Sequence, residues 1–181
     1  MLGHSLGEYV AATVAEVFSL EHALRAVCAR ARLMSELPGG RMLAVPLPEA
    51  ELDAVMEDGL EVAAINASER CVVAGSAEAV ERARHRLAER DVEARLLATS
   101  HAFHTSAMEP MLRPFAEVLA GLDLHPPRRT WISNVTGRRI EPTQATDPEY
   151  WVTHVRRPVR FADGAAAALD LSGALFLEVG P

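Results

Sequence analysis

The run Gly3-His4-Ser5-Leu6-Gly7 has the form G-x-S-x-G. A serine hydroxyl attacks a carbonyl carbon when it is exposed on a sharp turn, relieved of its proton by a base, and faced by donors for the oxyanion that forms. The two glycines permit such a turn. A helix beginning after Ser5 points free N–H groups at the reacting centre, and the Leu6 N–H, one residue beyond the serine, is the natural oxyanion donor. The same five residues also fit a Gly-rich turn in which Ser5 does no more than cap a helix.

The base must come from the seven histidines, at positions 4, 22, 85, 101, 104, 125 and 154. His22 and His85 fall on charged helix faces and read as solvated. His4 adjoins Ser5 on a turn that points it elsewhere, and His125 sits in a loop beside Pro126-Pro127. His101 and His104 occupy a loop that returns to the main body after a long excursion, a place where a site can be completed. Their H-x-x-H spacing has no evident third metal ligand, and each also reads as an ordinary surface or satisfied histidine. Arg30 falls near Val27 and Met34 on a helix, at one edge of an apolar stripe, with Arg25 and Arg32 opposite. It reads either as an arginine snorkelling to water or as a fork for a substrate carboxylate.

The elements that would position these groups follow from periodicity. Residues 5–18 form a helix with Val10, Val14, Val17 and Phe18 at helical spacing, and residues 21–36 a second, with Leu24, Val27, Cys28, Ala31 and Met34 on one face. Pro38, Gly39 and Gly40 end it. Strand Met42–Leu47, a short helix Pro48–Met56, strands Leu60–Ile65 and Cys71–Ala74, a helix over 77–89 and strand Val92–Leu97 follow in the βαββαβ order of a ferredoxin-like unit. Beyond the loop Thr99–Thr105 come a helix over 106–122, with Met108, Met111, Leu112, Phe115 and Leu119 on one side, and a strand Thr130–Ser133. A loop to Asp147, a short helix Pro148–Val155, a helix over 161–170 and an apolar strand Ala174–Val179 complete the chain.

The chain has 181 residues, 49% hydrophobic and 24% charged, enough for one domain with a small inserted unit. A formal net charge of −7 disfavours nucleic acid as a partner. No apolar run spans a bilayer and no signal peptide opens the sequence, so neither a membrane nor export is expected. The two cysteines, Cys28 and Cys71, lie in apolar stretches and read as buried free thiols of the cytoplasm.

GHSLGEYVAA, CARARLM, SHAFHTSAMEPM, SNVTG, YWVTHVRRPVRF and FLEVGP, in that order, resemble the acyltransferase domain of type I polyketide synthases. The same family includes the malonyl-CoA:acyl-carrier-protein transacylases. The resemblance covers essentially the whole chain. It implies an α/β fold, with an α/β-hydrolase-like core (1–40 and 99–181) and a ferredoxin-like subdomain (41–98) inserted in it. It implies that Ser5 is acylated, that His104 is its base, held by a backbone carbonyl, and that Leu6 supplies the oxyanion N–H. Arg30 would hold the malonyl carboxylate, and His154 would line the site near the base. His101 and Phe103 belong to the HAFH motif that tends to accompany malonyl units, where YASH accompanies methylmalonyl. Phe103 would fill the space of an α-methyl group, a preference worth about 1–3 kcal/mol. The implied partners are an acyl carrier protein and other polyketide synthase domains, with no metal or redox cofactor.

Relatives carry a further stretch before the serine, with a strand and a GQG-type segment that gives a second oxyanion contact; neither precedes Gly3 here. Losing one such donor costs about 10²–10³ in rate, and lost sheet strands expose unpaired edges, so the chain alone is expected to be inactive or weakly active and prone to aggregate. Two other readings remain: a serine esterase or thioesterase, for which Asp147 and His154 would be the late acid and base, and an inactive fragment that serves only as an interaction surface.

Overall fold

The computed structural model describes residues 1–171 and 175–180. Its first element shows how the G-x-S-x-G run folds. Leu2 bridges Ile132 in the parallel sense, the chain turns at Gly3–Ser5, and helix α1 spans Leu6–Val14. Gly3 is required at this turn, because a Cβ there would lie 2.1 Å from the Gly7 carbonyl oxygen. Gly7 is different: a Cβ on it meets nothing within 4 Å among the described residues. α1 stops at Val14, Glu16 takes a left-handed φ of 65°, and Val17 and Phe18 enter the core from the turn.

The packed faces of the first two helices differ from the expected ones. In α1, Val10 and Val14 are exposed while Glu8, Tyr9, Ala11 and Ala12 are buried. Helix α2, Leu20–Ser35, is capped by Ser19 and buries Ala23, Ala26, Leu33 and Met34, leaving Leu24 and Cys28 exposed. Alanines take these inward positions because they let helices approach closely while the aromatic rings of Tyr9, Phe18, Phe115 and Trp151 fill the space between. Arg30 therefore lies in the middle of the inward stripe, one turn from Ala26 and from Met34, not at its edge. Arg25 and Arg32 are exposed, as expected.

The chain then builds a sheet. Strands β1 (Arg41–Val45), β2 (Leu60–Ala67), β3 (Arg70–Gly75) and β4 (Arg95–Leu96) pair antiparallel in the order β4-β1-β3-β2, and β5 (Val159–Arg160) adds in parallel on β2. Helix α3, Ala77–Ala88, capped by Ser76, joins β3 to β4. The segment between β1 and β2 is a 3-10 turn, Glu49–Ala54. Side chains alternate along β1 and β3. Leu43, Val45, Cys71 and Val73 face α3 and the 3-10 turn, while Met42, Val72 and Ala74 face the other way, toward Ala102 and Val159. An irregularity in the β2–β3 register between Val62 and Ala64 brings consecutive Ala63 and Ala64 to that second face.

The remaining helices are α4 (Glu109–Ala120), α5 (Pro142–Ala145), α6 (Pro148–Arg156) and α7 (Phe161–Leu169). Met111, Phe115 and Leu119 of α4 pack with Trp131 and Trp151 on the core of α1 and α2. Three expectations fail here. The strand Thr130–Ser133 is reduced to single bridges of Ile132 to Leu2 and to Arg139, and β4 is shorter than Val92–Leu97. In the expected strand Ala174–Val179, Ala174 lies outside the described residues. Leu175–Val179 form no ladder, with Leu175, Phe176, Leu177 and Val179 exposed. An apolar run becomes a strand only where a neighbouring edge accepts its backbone groups. Conversely, β5 forms just after Pro158, where the edge of β2 is open to it. Among the described residues no helix is long and apolar enough to cross a membrane.

The two glycines of the motif should therefore separate in a denaturation experiment. Gly3→Ala is expected to lower the unfolding free energy by about 3 kcal/mol or more, whereas Gly7→Ala, in a helix with open space, should raise it by up to about 1 kcal/mol. Equal effects of the two in urea titrations would contradict this account of the turn.

Candidate active site

Ser5 takes φ 49°, ψ −106°, a conformation of neither helix nor strand. The turn lifts its side chain off the start of α1 and toward His104, whose own φ is 61°. Ser5 Oγ lies 2.8 Å from His104 Nε2. The other ring nitrogen, Nδ1, is 3.0 Å from the Arg157 carbonyl oxygen. A carbonyl can only accept, so Nδ1 carries the proton and the Nε2 lone pair receives the Ser5 hydroxyl. Arg30 Nη2 donates to Ser5 Oγ at 3.2 Å, while its Nε, buried, has no hydrogen-bond partner among the described residues. The guanidinium carbon stands 5.8 Å over the Tyr9 ring.

These groups share a cleft of about 510 Å³ between α2 and the second face of the sheet. Met42, Ala63, Ala64 and Val72 make the sheet wall, and Arg30 and Met34 the helical one. Phe103 and His101 lie at the cleft, with ring centroids 5.8 Å apart. His101 is held in place: Nε2 donates to the Leu37 carbonyl at 3.1 Å, and Nδ1 accepts from Ser100 Oγ at 2.7 Å. Leu6 opens α1 beside the serine. The Gly7 and Glu8 N–H groups are bonded to the His4 and Ser5 carbonyls, which leaves the Leu6 N–H as the helix-start donor next to Oγ.

His4 sits where the sequence did not put it, and His154 lies near the base as implied but behind it. His4 does not turn away; it lines the same cleft, with Nε2 2.8 Å from Asn66 Oδ1 of β2 and its ring 5.2 Å from that of Phe161. His154 is not at the cleft wall. It is buried behind His104, ring centroids 6.0 Å apart, with Nε2 3.3 Å from Glu8 Oε2 but not aligned for a hydrogen bond. Asp147 is exposed and caps α6 by accepting from the Glu149 N–H at 2.9 Å, so it does not serve as an acid partner for His154.

The electrostatics follow from burial. Burial, then His154 and Arg30 nearby, push the His104 imidazole down to about 3, against the lesser pull of the Arg157 carbonyl; it is neutral at ordinary pH. Burial alone would raise the Glu8 carboxyl. His154 beside it and hydrogen bonds from Tyr150 and Trp131 outweigh that and hold it below the usual carboxylate value. Such an assembly has a hydroxyl that donates to a neutral imidazole while accepting from a guanidinium, which is suited to nucleophilic attack on a carbonyl.

The structure brings together Ser5, His104 and Arg30, which the sequence singled out. The resemblance implied a backbone carbonyl behind His104, but nothing in the sequence named it as that of Arg157, and the buried polar pair Glu8 and Asn134 was visible only as polar letters inside GHSLGE and SNVTG.

Known proteins resemble this chain in sequence and in fold. It is 42% identical over 180 residues to a phenolphthiocerol/phthiocerol polyketide synthase of Mycobacterium tuberculosis, covering 99% of the chain and 12% of that protein. With polyketide synthase GfsB of Streptomyces halstedii it shares 44% identity over 185 residues, covering 99% of the chain and 3% of the relative. The chain thus spans a small fraction of these curated relatives. The acyl transferase domain of SpnD, solved with 2-(pent-4-yn-1-yl)malonyl, superposes with a TM-score of 0.88 at 42% identity, over 92% of this chain and 40% of that one. A malonyl CoA-acyl carrier protein transacylase from Burkholderia pseudomallei gives 0.86 at 30% identity, over 93% and 59%. The mixed α/β fold with its five-stranded sheet is that of known acyltransferase domains. Residues 1–181 match the family model described as the acyl transferase domain, and the chain belongs to that family.

Proposed function

We propose that this chain transfers a malonyl group from coenzyme A to the phosphopantetheine thiol of an acyl carrier protein, through an ester on Ser5. The observation that carries this reading is the position of Ser5 Oγ, 2.8 Å from a base nitrogen and 3.2 Å from a guanidinium. In the first half-reaction Oγ attacks the thioester carbon, and its proton passes to His104 Nε2. The oxyanion faces the Leu6 N–H. The carbon–sulfur bond breaks, and the proton moves from His104 to the departing coenzyme A thiolate. In the second half-reaction the carrier thiol gives its proton to His104 and attacks the malonyl ester; the bond from the acyl carbon to Oγ breaks, and His104 returns the proton to Ser5 Oγ. Thioester and ester exchange without change of oxidation state, and each proton is relayed through His104.

Arg30 gives selectivity. A carboxylate on the acyl group would satisfy its unpaired Nε and take up its charge. It would also change the base: Arg30 is one of the groups that depress His104, so neutralising it raises the basicity of Nε2 when the acidic substrate is bound. Phe103 narrows the cleft where an α-substituent would sit, favouring malonyl over methylmalonyl. His101 fixes the loop that carries Phe103, and His154 backs the base. The strand order β4-β1-β3-β2 supports 41–98 as a ferredoxin-like subdomain, and the strand–turn–helix at Ser5 supports 1–40 with 99–181 as an α/β-hydrolase-like core. In the multidomain assemblies of the relatives, the carrier protein and other synthase domains are its partners.

Incubation with malonyl-CoA should give a slow single malonyl adduct that maps to Ser5 by peptide mass and is absent from Ser5→Ala. Labelling elsewhere, or equal labelling of Ser5→Ala, would contradict the reading. Arg30→Ala should lower malonyl labelling by about 10²-fold, the scale of a lost charged contact of about 3 kcal/mol, and change acetyl labelling from acetyl-CoA far less.

The buried histidine also predicts a stability profile. Unfolding frees His104 to bind a proton below its ordinary value of 6.5, while the folded chain resists until about 3. Stability should therefore fall as pH drops below 6.5, by up to about 1.4 kcal/mol per pH unit. Glu8, lowered in the fold, adds a further loss below the ordinary carboxylate value of 4.5. His104→Asn should flatten the curve between 6.5 and 4.5; an unchanged slope would show that His104 is not buried neutral.

A further inference from the structure

The turn at Ser5 leaves backbone groups that neither α1 nor a strand can satisfy. The Gly3 carbonyl and the Ser5 N–H flank His4, and both meet the side chain of Asn134. Its Nδ2 donates to Gly3 O at 2.7 Å, and its Oδ1 accepts from Ser5 N at 2.6 Å. A side-chain amide presents a donor and an acceptor side by side, as the peptide of a neighbouring strand does, so one residue replaces a rung of a ladder at the place where the strand ends.

Asn134 is itself fixed. It is 1% exposed; its backbone N–H donates to Glu8 Oε2 at 2.7 Å, and its carbonyl accepts from the Arg160 N–H at 2.8 Å. Glu8, fully buried in the first turn of α1, also accepts from Trp131 Nε1 at 2.9 Å and from the Tyr150 hydroxyl. Beside it stands His154, packed edge-on against His104. The contacts close a ring: Ser5 to Asn134, Asn134 to Glu8, Glu8 to His154, His154 to His104, and His104 back to Ser5. The nucleophile and its base are thus referred to one buried carboxylate.

The structure assigns Asn134 as a positioning residue for acyl transfer: its amide clamps the Gly3–Ser5 turn so that the Ser5 hydroxyl meets His104 Nε2, with Glu8 as its anchor. The assignment rests on the acyl-transfer reading above for its kinetic consequence, and on the hydrogen bonds alone for its effect on the turn. An aspartate at 134 would keep the acceptor for Ser5 N but, ionised, would set an oxygen against Gly3 O. Protonated, it regains an O–H donor, and burial near Glu8 favours that neutral form. The clamp therefore has a pH signature that a generally loosened fold lacks.

The test compares the full chain with Asn134→Ala and Asn134→Asp, using amide hydrogen exchange read by mass and single-turnover malonyl loading from malonyl-CoA. In Asn134→Ala the peptide containing Ser5 should lose protection while those from β2 and β3 keep theirs. The loading rate should fall about 10²-fold, the cost of a displacement of about 1 Å, with the half-saturating malonyl-CoA concentration unchanged. Asn134→Asp should be impaired at pH 8 and recover relative to the parent as the pH is lowered. Undiminished protection at Ser5 in Asn134→Ala, or an Asn134→Asp profile parallel to the parent's, overturns the assignment. Should Asn134→Ala not fold, the Asn134→Asp profile and its exchange at Ser5 at high and low pH decide alone. Should the parent not load malonyl, the transfer reading falls, while protection at Ser5 still decides whether the clamp exists.

Discussion

The backbone of Ser5 is held at φ 49°, ψ −106°, which an L-residue adopts at a cost of about 1–3 kcal/mol. Much of the surrounding structure serves to keep it there. Gly3 lets the turn close onto the Gly7 carbonyl. Asn134 takes the stranded backbone groups on one side, and α1 begins immediately on the other. The bridge of Leu2 to Ile132 fixes the direction from which the chain arrives. Relaxing Ser5 into an ordinary helical conformation would turn Oγ away from His104 and leave Asn134, buried, without its partners.

The electrostatics depend on the same constraint. A neutral imidazole, a buried carboxylate and a guanidinium lie within one small volume, yet each has a defined state. Glu8 is ionised because donors converge on it from Trp131, Tyr150 and the Asn134 backbone. His104 is neutral because it is buried, with the Arg30 guanidinium nearby, and its tautomer is set by a carbonyl that cannot donate. Removing one partner from such a network costs more than the hydrogen bond itself, because the other is left buried and unpaired. The sheet contributes shape instead of charge: Ala63 and Ala64, brought to one face by a bulge, leave the room that becomes the cleft.

What the sequence made legible divides along physical lines. Helices with long periodic faces were readable: Met111, Phe115 and Leu119 mark the buried side of α4. The faces of α1 and α2 were misread because the largest apolar residues, Val10, Val14 and Leu24, were taken as core, whereas alanines are. That error put Arg30 at the edge of its stripe when it stands at the centre, facing Ser5. Short apolar runs were the least secure, since a strand needs a neighbour: Val159–Arg160 found one on β2, while Leu175–Val179 formed none among the described residues. At the site, Ser5, His104 and Arg30 were legible because side chains do their work. A backbone carbonyl behind His104 was implied by the resemblance, but that it belongs to Arg157 was not, because a backbone group has no letter of its own. Asn134 and Glu8 were hidden because their burial appears only when the chain brings together the Glu8 carboxylate and the Asn134 N–H, 126 positions apart in sequence.

The central claim is that a neutral His104, protonated on Nδ1, presents the lone pair of Nε2 to Ser5. Nitrogen NMR of histidine-labelled protein tests this directly, with assignment by His104→Asn. At pH 7 the account predicts one non-protonated Nε2 and one protonated Nδ1 for His104, persisting to well below the ordinary histidine value of 6.5. An imidazolium at pH 6, or a proton resident on Nε2 in the free protein, would contradict it.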